Sequence, residues 1–231
     1  MDVYPHRRAI ATNSRGEDEF YFPALMIAQK AQVSDLAIRH FEVLYVGQAY
    51  ADGKRAAIDR LRSHQTLQRI LAELAAANPD DEVMLFLFKY EPAQYFLSMD
   101  GVAGAEITGE QDTRHVQRLI KNPPSRKEEI ALAEAGLIRY FEPPYNEIYK
   151  ASFPAEQLKI LEGCYERDFV SLSVEINTED VRARLWSEKR DVGYHHIASF
   201  DLHDSQKRRS FFSLIDREGN YTVTEMSGPA F

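Results

Sequence analysis

The chain contains 231 residues, of which 44% are hydrophobic and 28% are charged, and its formal net charge at neutral pH is −8. This composition supplies enough apolar surface for a folded core, and it excludes an intrinsically disordered chain. The single cysteine, Cys164, excludes an internal disulfide framework and a zinc site built from several cysteines.

The chain begins with a polar stretch, residues 1–19, which we expect to form a loose arm. This stretch lacks the apolar block of a signal peptide, and no run of eighteen apolar residues occurs anywhere in the sequence. We therefore expect a cytoplasmic protein with no membrane association.

Three segments in the first part of the chain are rich in β-branched and aromatic residues, which favours strands. They are FYFPALMIAQ at 20–29, FEVLYVGQA at 41–49 and DEVMLFLFKYE at 81–91. Residues 54–78 predict a helix with a break near residues 63–66. Arg60 and His64 are four residues apart, so we expect both on one helix face, directed toward the core.

A further helix is predicted at TRHVQRLIKN, residues 113–122, and a longer one follows it. Ser125 and Glu128 form a capping-box pattern, which predicts that the longer helix begins just after Ser125. Pro143 cannot continue a helix, so we expect the end one or two residues before it. One face of this helix carries apolar residues at three- and four-residue spacing: Ile130, Ala133, Leu137, Ile138 and Phe141.

Glu134 falls inside that apolar stripe. A buried carboxylate is costly unless a cation, a metal or several hydrogen-bond donors satisfy it. Two readings remain open from the spacing alone. Glu134 is either a ligand at a functional site or a structural residue. In the second case it is partly exposed at the edge of the stripe, or it is paired with a buried arginine.

Residues 151–231 are predicted to form a C-terminal α+β extension. Its predicted helices are FPAEQLKILEGCYE at 153–166 and TEDVRARLWSEK at 178–189. Its predicted strands are FVSLSVEIN at 169–177, HHIASFDLHD at 195–204 and RRSFFSLID at 208–216. REGN at 217–220 is typical of a hairpin turn, because glycine and asparagine tolerate positive φ.

Basic residues concentrate in two segments, although the chain is acidic overall. Residues 53–69 contain five Lys or Arg and one acid, and residues 114–127 contain five and no acid. Such a run is either a solvated helix face or a surface for a phosphate backbone. The candidates for nucleic-acid contacts are Lys54, Arg55, Arg62, Arg118 and Lys121.

Three short motifs in this order, YVG at 45–47, RLRSH at 60–64 and EAGLIRYFEPPYN at 134–146, resemble the GIY-YIG nuclease superfamily. The resemblance covers residues of about 20–150. It implies a small antiparallel β-sheet flanked by helices, and thus an α+β fold with residues 20–150 as the nuclease core. The family's first tyrosine motif has no GIY triplet here; Tyr21 is the candidate, and Met26 or Ile27 are the alternatives.

The resemblance also implies roles for the matching residues. Glu134 would hold a single Mg²⁺ or Mn²⁺ ion, and Arg60 would contact the phosphate, with Arg55 as its rival. Tyr45, helped by His64, would be the general base, or His64 would instead accept the proton directly. Asn146 would brace the end of the helix that carries Glu134.

These roles predict a metal-dependent endonuclease that acts on double-stranded DNA. The alternative is a catalytically inactive module of the same fold that binds nucleic acid or a protein. In either case the C-terminal extension would serve target binding, dimer formation or docking of a protein partner.

Overall fold

The computed structural model describes residues 8–16, 19–48, 64–78, 81–90, 117, 121–155, 157–167, 169, 171–202, 214–215 and 221–222. This part of the chain is a mixed α+β structure with small sheets. Its α-helices are α1 (Ala24–Lys30), α2 (Gln65–Ala77), α3 (Arg126–Phe141) and α4 (Glu162–Glu166). Short 3-10 helices lie at Leu36–Arg39 and Lys159–Leu161.

The strands form four small sheets within the described residues. They are β1 (Arg8–Thr12), β2 (Glu19–Pro23), β3 (His40–Glu42), β4 (Ser171–Asn177), β5 (Arg184–Ser187), β6 (Arg190–Gly193), β7 (His195–Asp201), β8 (Leu214–Ile215) and β9 (Tyr221–Thr222). The pairs β1–β2, β4–β7, β5–β6 and β8–β9 are antiparallel, whereas β3 pairs in parallel with β5.

Helix α3 begins and ends where the sequence predicts. The Ser125 hydroxyl accepts the backbone N–H of Glu128 and the Glu128 carboxylate accepts the N–H of Ser125, so the capping box is complete. Glu142 adopts a left-handed conformation with φ of 49°, and Pro143 follows it. These local contacts explain why the helix has defined bounds.

Both sides of α3 are buried. On one side, Ala133, Leu137 and Phe141 pack against a cluster with Val174, Ile176, Leu185 and Ala198 from strands β4, β5 and β7. On the other side a second cluster contains Leu132, Ala135, Phe153, Leu161, Cys164 and Leu202. The helix is therefore the centre of the packing, and burial of apolar surface on two sides stabilises it.

A close approach fixes the distance between α3 and the β4–β7 sheet. A Cβ atom at Gly136 would lie 3.1 Å from Val174 and 3.2 Å from Phe200, so only glycine fits here without movement of the neighbours. The first cluster joins residues before and after position 150, including Leu137 and Val174. The predicted domain boundary at residue 150 stays a prediction.

Two segments of the predicted N-terminal sheet differ from expectation. Residues 20–29 split into β2 and α1, because Pro23 ends the strand and good helix formers such as Ala24 and Leu25 follow. In residues 41–49, the described ladder extends only through Glu42, and it joins the remote β5 rather than an antiparallel N-terminal strand. Long-range pairing of this kind is not encoded in local pattern.

The third predicted strand, residues 81–91, has no regular structure in its described residues 81–90. Phe86 of this segment still packs edge-to-face on Phe41, with ring centroids 5.3 Å apart. The apolar run therefore contributes to packing without joining a ladder.

The predicted helix at 178–189 is wrong. Thr178 is buried and its hydroxyl donates to the carbonyl of Ala183, while the Ala183 N–H donates back to the Thr178 carbonyl. This pair of bonds closes a turn, and Arg182 within it has φ of 52°. Residues Arg184–Ser187 then alternate between half-buried and buried positions, as a strand requires.

The remaining C-terminal predictions are largely confirmed. Strands β4 and β7 occupy the predicted segments, and β8 and β9 pair on either side of the predicted turn at 217–220. The connecting helix is shorter than predicted, because α4 begins at Glu162. Of the helix expected at 113–122, residues 117 and 121 are helical and most others lie outside the described residues. In the part of the chain that is described, no helix has the length and apolarity to cross a membrane.

Candidate functional site

The loop at residues 44–48 is held by the turn that follows α3. The Asn146 side chain accepts the Val46 N–H at 2.9 Å and donates to the Val46 carbonyl at 2.8 Å. The Tyr145 N–H donates to the Leu44 carbonyl at 3.1 Å. Asn146 thus pairs with the loop as a neighbouring strand would, and its buried amide needs these partners.

Glu134 reaches the same loop from α3. Its Oε1 accepts the backbone N–H of Gln48 at 3.0 Å. Burial raises the pKa of Glu134, and the hydrogen bond from Gln48 opposes the shift. Within the described residues, Oε2 has no hydrogen-bond partner and no arginine pairs with the carboxylate. Among the described residues, the half-buried carboxylate thus has one oxygen bonded to Gln48 and no partner on the other.

Tyr45 lies between Glu134 and the start of α2. Its ring contacts the His64 ring, with centroids 5.4 Å apart. Burial raises the pKa of the Tyr45 phenol, the Glu134 charge raises it further, and a hydrogen bond with Thr66 lowers it. The phenol is consequently protonated at neutral pH.

Gly47 allows the Tyr45 ring to fold back on its own loop. A Cβ atom at position 47 would lie 2.6 Å from Cε1 and 2.9 Å from the phenol oxygen of Tyr45. A larger residue would therefore push the ring out of its place. This close approach is the physical reason for glycine in the YVG motif.

His64 lies outside the helix that was expected to carry it. It is the N-cap of α2, and its Nδ1 accepts the Leu67 N–H at 3.3 Å. The expectation that Arg60 and His64 share a helix face is therefore wrong for His64, which is not helical. Since Nδ1 is an acceptor, neutral His64 carries its proton on Nε2 and presents a donor there.

Several predicted site residues lie outside the described residues: Lys54, Arg55, Arg60, Arg62 and Arg118. Tyr21 is described as part of β2, where it pairs with Ile10, but its side chain is not. The alternatives Met26 and Ile27 lie in α1 and are exposed. Lys121 is exposed.

The side chains described at the site are compatible with a weakly bound cation that prefers oxygen ligands. Among the described residues, no group of three or more His, Cys, Asp or Glu could hold a metal ion. A zinc site needs three or four such ligands, whereas Mg²⁺ retains several waters and uses one or two carboxylates plus phosphate. A single carboxylate such as Glu134 is compatible with the second case.

One group of residues beside the site was not predicted. Tyr145 donates its hydroxyl to Glu73 of α2, and Glu73 also binds Arg69. The motif EAGLIRYFEPPYN contains Tyr145, but periodicity gives no indication of its partner, which lies 72 positions earlier.

No protein-family model, no curated protein and no solved structure matches this chain. The geometry of the loop, Tyr45, His64 and Glu134 is therefore what bears on function.

Proposed function

We propose that the chain is a GIY-YIG-like, metal-dependent endonuclease that hydrolyses phosphodiester bonds of DNA. One observation carries the proposal: Glu134 and Tyr45, separated by 89 positions, meet at the loop of residues 44–48, with the Glu134 carboxylate bonded to Gln48 and the Tyr45 ring on His64. Convergence of a carboxylate, a phenol and an imidazole beside an open carboxylate oxygen supports catalysis rather than packing.

Each side chain has a distinct part in the proposed reaction. Glu134 would hold Mg²⁺ or Mn²⁺, and the bound ion would polarise the phosphate and stabilise the leaving oxygen. Arg60, with Arg55 as the alternative, contacts the phosphoryl oxygens through its planar guanidinium. Asn146 keeps the loop in register with α3, so that Tyr45 and Glu134 stay at a fixed separation.

Tyr45 and His64 handle the proton of the attacking water. The pKa of Tyr45 is raised by burial and by the Glu134 charge, so positive charge beside Glu134 is needed before the phenolate can form. His64 presents Nε2–H and can donate a hydrogen bond to the phenol oxygen or to the phosphate. Arg60, or its rival Arg55, and a bound cation would supply this positive charge, whereas the substrate phosphate is itself an anion.

A double-stranded DNA substrate fits the two basic segments. Lys54, Arg55, Arg62, Arg118 and Lys121 would neutralise phosphates on either side of the cut. The C-terminal extension would add target contacts, a dimer contact or a docking surface for a protein partner.

The second candidate is an inactive module of the same fold that binds nucleic acid or a protein. The observation that favours it is the raised pKa of Tyr45, since a protonated phenol is a poor base. The two candidates differ in whether Glu134 matters for DNA cleavage.

The proposal is tested by incubating the protein with plasmid, linear duplex and single-stranded DNA in Mg²⁺ or Mn²⁺. We expect wild type to cut and Glu134→Gln, which keeps the shape but loses the charge, to be at least about 100-fold slower. Glu129→Gln, on the same helix and paired with Arg126, is the matched control and should cut normally. Cutting that persists in Glu134→Gln would exclude Glu134 as the ligand. DNA retention that weakens with salt, without any cutting, would establish the binding module.

A further inference from the structure

A cluster of three side chains joins α2 to the double-proline turn after α3. The Tyr145 hydroxyl donates to Glu73 Oε2 at 2.7 Å, and Arg69 Nε donates to Glu73 Oε1 at 2.8 Å. The Arg69 guanidinium carbon also lies 5.4 Å from the centre of the Tyr145 ring. Both carboxylate oxygens of Glu73 are therefore engaged, one by each partner.

The charges of the cluster suit this arrangement at neutral pH. The hydrogen bond from Arg69 lowers the pKa of Glu73, and the one from Tyr145 lowers it further. The same contact with Glu73 raises the pKa of the Tyr145 phenol. Glu73 is thus ionised and Tyr145 protonated, which is the pairing of acceptor and donor that the distances show.

These contacts form a closed path of residues beside the candidate site. Tyr145 binds the Leu44 carbonyl through its N–H and binds α2 through Glu73. The N-terminal end of α2 is His64, nine residues or about 14 Å before Glu73, and His64 contacts Tyr45. Tyr45 follows Leu44 directly, so the path of contacts ends where it began.

The contacts along α2, more than burial of α2 against the described residues, connect His64 to the rest of the site. Within the described residues, Ile70 is the only buried residue of α2, and Arg69 and Glu73 have side-chain exposures of 63% and 50%. Against the described residues this helix buries little surface, so the contacts of Glu73 with Tyr145 and of His64 with Tyr45 contribute to its orientation. A small rotation of α2 would move the His64 ring away from Tyr45.

We propose that Tyr145 is a positioning residue of the nuclease reaction, which through Glu73 holds α2 so that His64 stays against Tyr45. This inference rests on the proposed function for its kinetic consequence. The geometric part concerns the orientation of His64 alone and is measurable without any cleavage.

The variant Tyr145→Phe removes only the hydroxyl that binds Glu73. We expect kcat on duplex DNA to fall about tenfold with KM changed by less than about twofold, because orientation of the reacting groups is lost while the DNA surface is kept. Tyr149→Phe is the matched control: Tyr149 lies four residues later in the chain, its ring packs on Phe153, and its hydroxyl has no hydrogen-bond partner among the described residues. Its kcat should equal that of wild type.

Substitutions at Glu73 separate positioning from loss of structure. Glu73→Ala should reproduce the loss of kcat, whereas Glu73→Gln keeps an amide oxygen that accepts from Tyr145 and should retain most activity. Equal loss in both Glu73 variants would overturn the role of the Tyr145 contact.

The His64 ring signal in a ¹H–¹³C spectrum gives the readout that does not depend on cleavage. We expect it to shift in Tyr145→Phe and to stay unchanged in Tyr149→Phe. An unchanged signal in Tyr145→Phe overturns the inference, whatever the kinetics show. If wild type cuts no DNA, the proposed function fails, and a shifted His64 signal still supports the positioning of α2 by Tyr145.

Discussion

Helix α3 and the loop of residues 44–48 both contribute to the candidate site, but they are held in different ways. The helix has its own backbone hydrogen bonds, a complete capping box and two buried sides. The loop has no ladder partner within the described residues, and its backbone is bound by Asn146, Tyr145 and Glu134. The helix is thus stabilised by its own hydrogen bonds and by burial on two sides. The loop is ordered by its contacts with the helix and with the turn after it.

Substitutions in the two regions should therefore have different consequences. Changes in α3 should affect the free energy of unfolding of the whole protein. Changes in the contacts of the loop should affect the site first and global stability less.

The largest expected loss of stability follows from substitution of Phe141, whose side chain is 1% exposed in the first core cluster. Phe141→Ala should lower the free energy of unfolding by about 3–5 kcal/mol, because it removes buried surface and leaves a cavity. Urea denaturation followed by circular dichroism measures this change. Ile148→Ala is the control: Ile148 is 71% exposed, and its loss should cost less than about 0.5 kcal/mol. Similar losses for the two variants would show that α3 is not the centre of the core.

A smaller effect is expected at Asn146. Asn146→Ala removes both bonds to Val46 and leaves the loop backbone without these partners, which should cost about 1–3 kcal/mol. Hydrogen exchange would localise the change: the Val46 amide should lose protection, while amides in the middle of α3, such as that of Leu137, keep theirs.

Asn146→Asp retains the acceptor for the Val46 N–H and loses the donor to the Val46 carbonyl. It should therefore protect the Val46 amide better than Asn146→Ala does. Uniform loss of protection through α3 in either variant would mean that loop and helix open as one unit.

The sequence predicts α3 well because its signals are local. Ser125, Glu128 and Pro143 define its ends, and the three- and four-residue spacing defines its buried side. The alternation in β4 and β7 is equally local. The same spacing predicts that Glu134 lies among apolar neighbours, although it does not identify the Gln48 N–H as the group that binds it.

Three other features were not predicted from the pattern of residue types. Strand β3 pairs with β5 across 144 positions, with His40 opposite Arg184. His64 caps α2, although histidine is not among the residues that usually cap helices, and the start of α2 at Gln65 falls within the break predicted near residues 63–66. Thr178 begins the predicted helix at 178–189, but it is buried and closes a turn with Ala183. Tertiary contacts decided the first case, whereas the His64 and Thr178 hydrogen bonds span only three and five positions.

The proposed function requires that Glu134, Tyr45 and His64 surround one cation site at the loop of residues 44–48. Titration of the protein with Mn²⁺ tests it directly, because the paramagnetic ion broadens NMR signals of nearby groups. The account predicts that the ring signals of Tyr45 and His64 broaden at low Mn²⁺ in wild type and stay sharp in Glu134→Gln. Broadening that is equal in the two proteins, or that spares both rings in wild type, would contradict it.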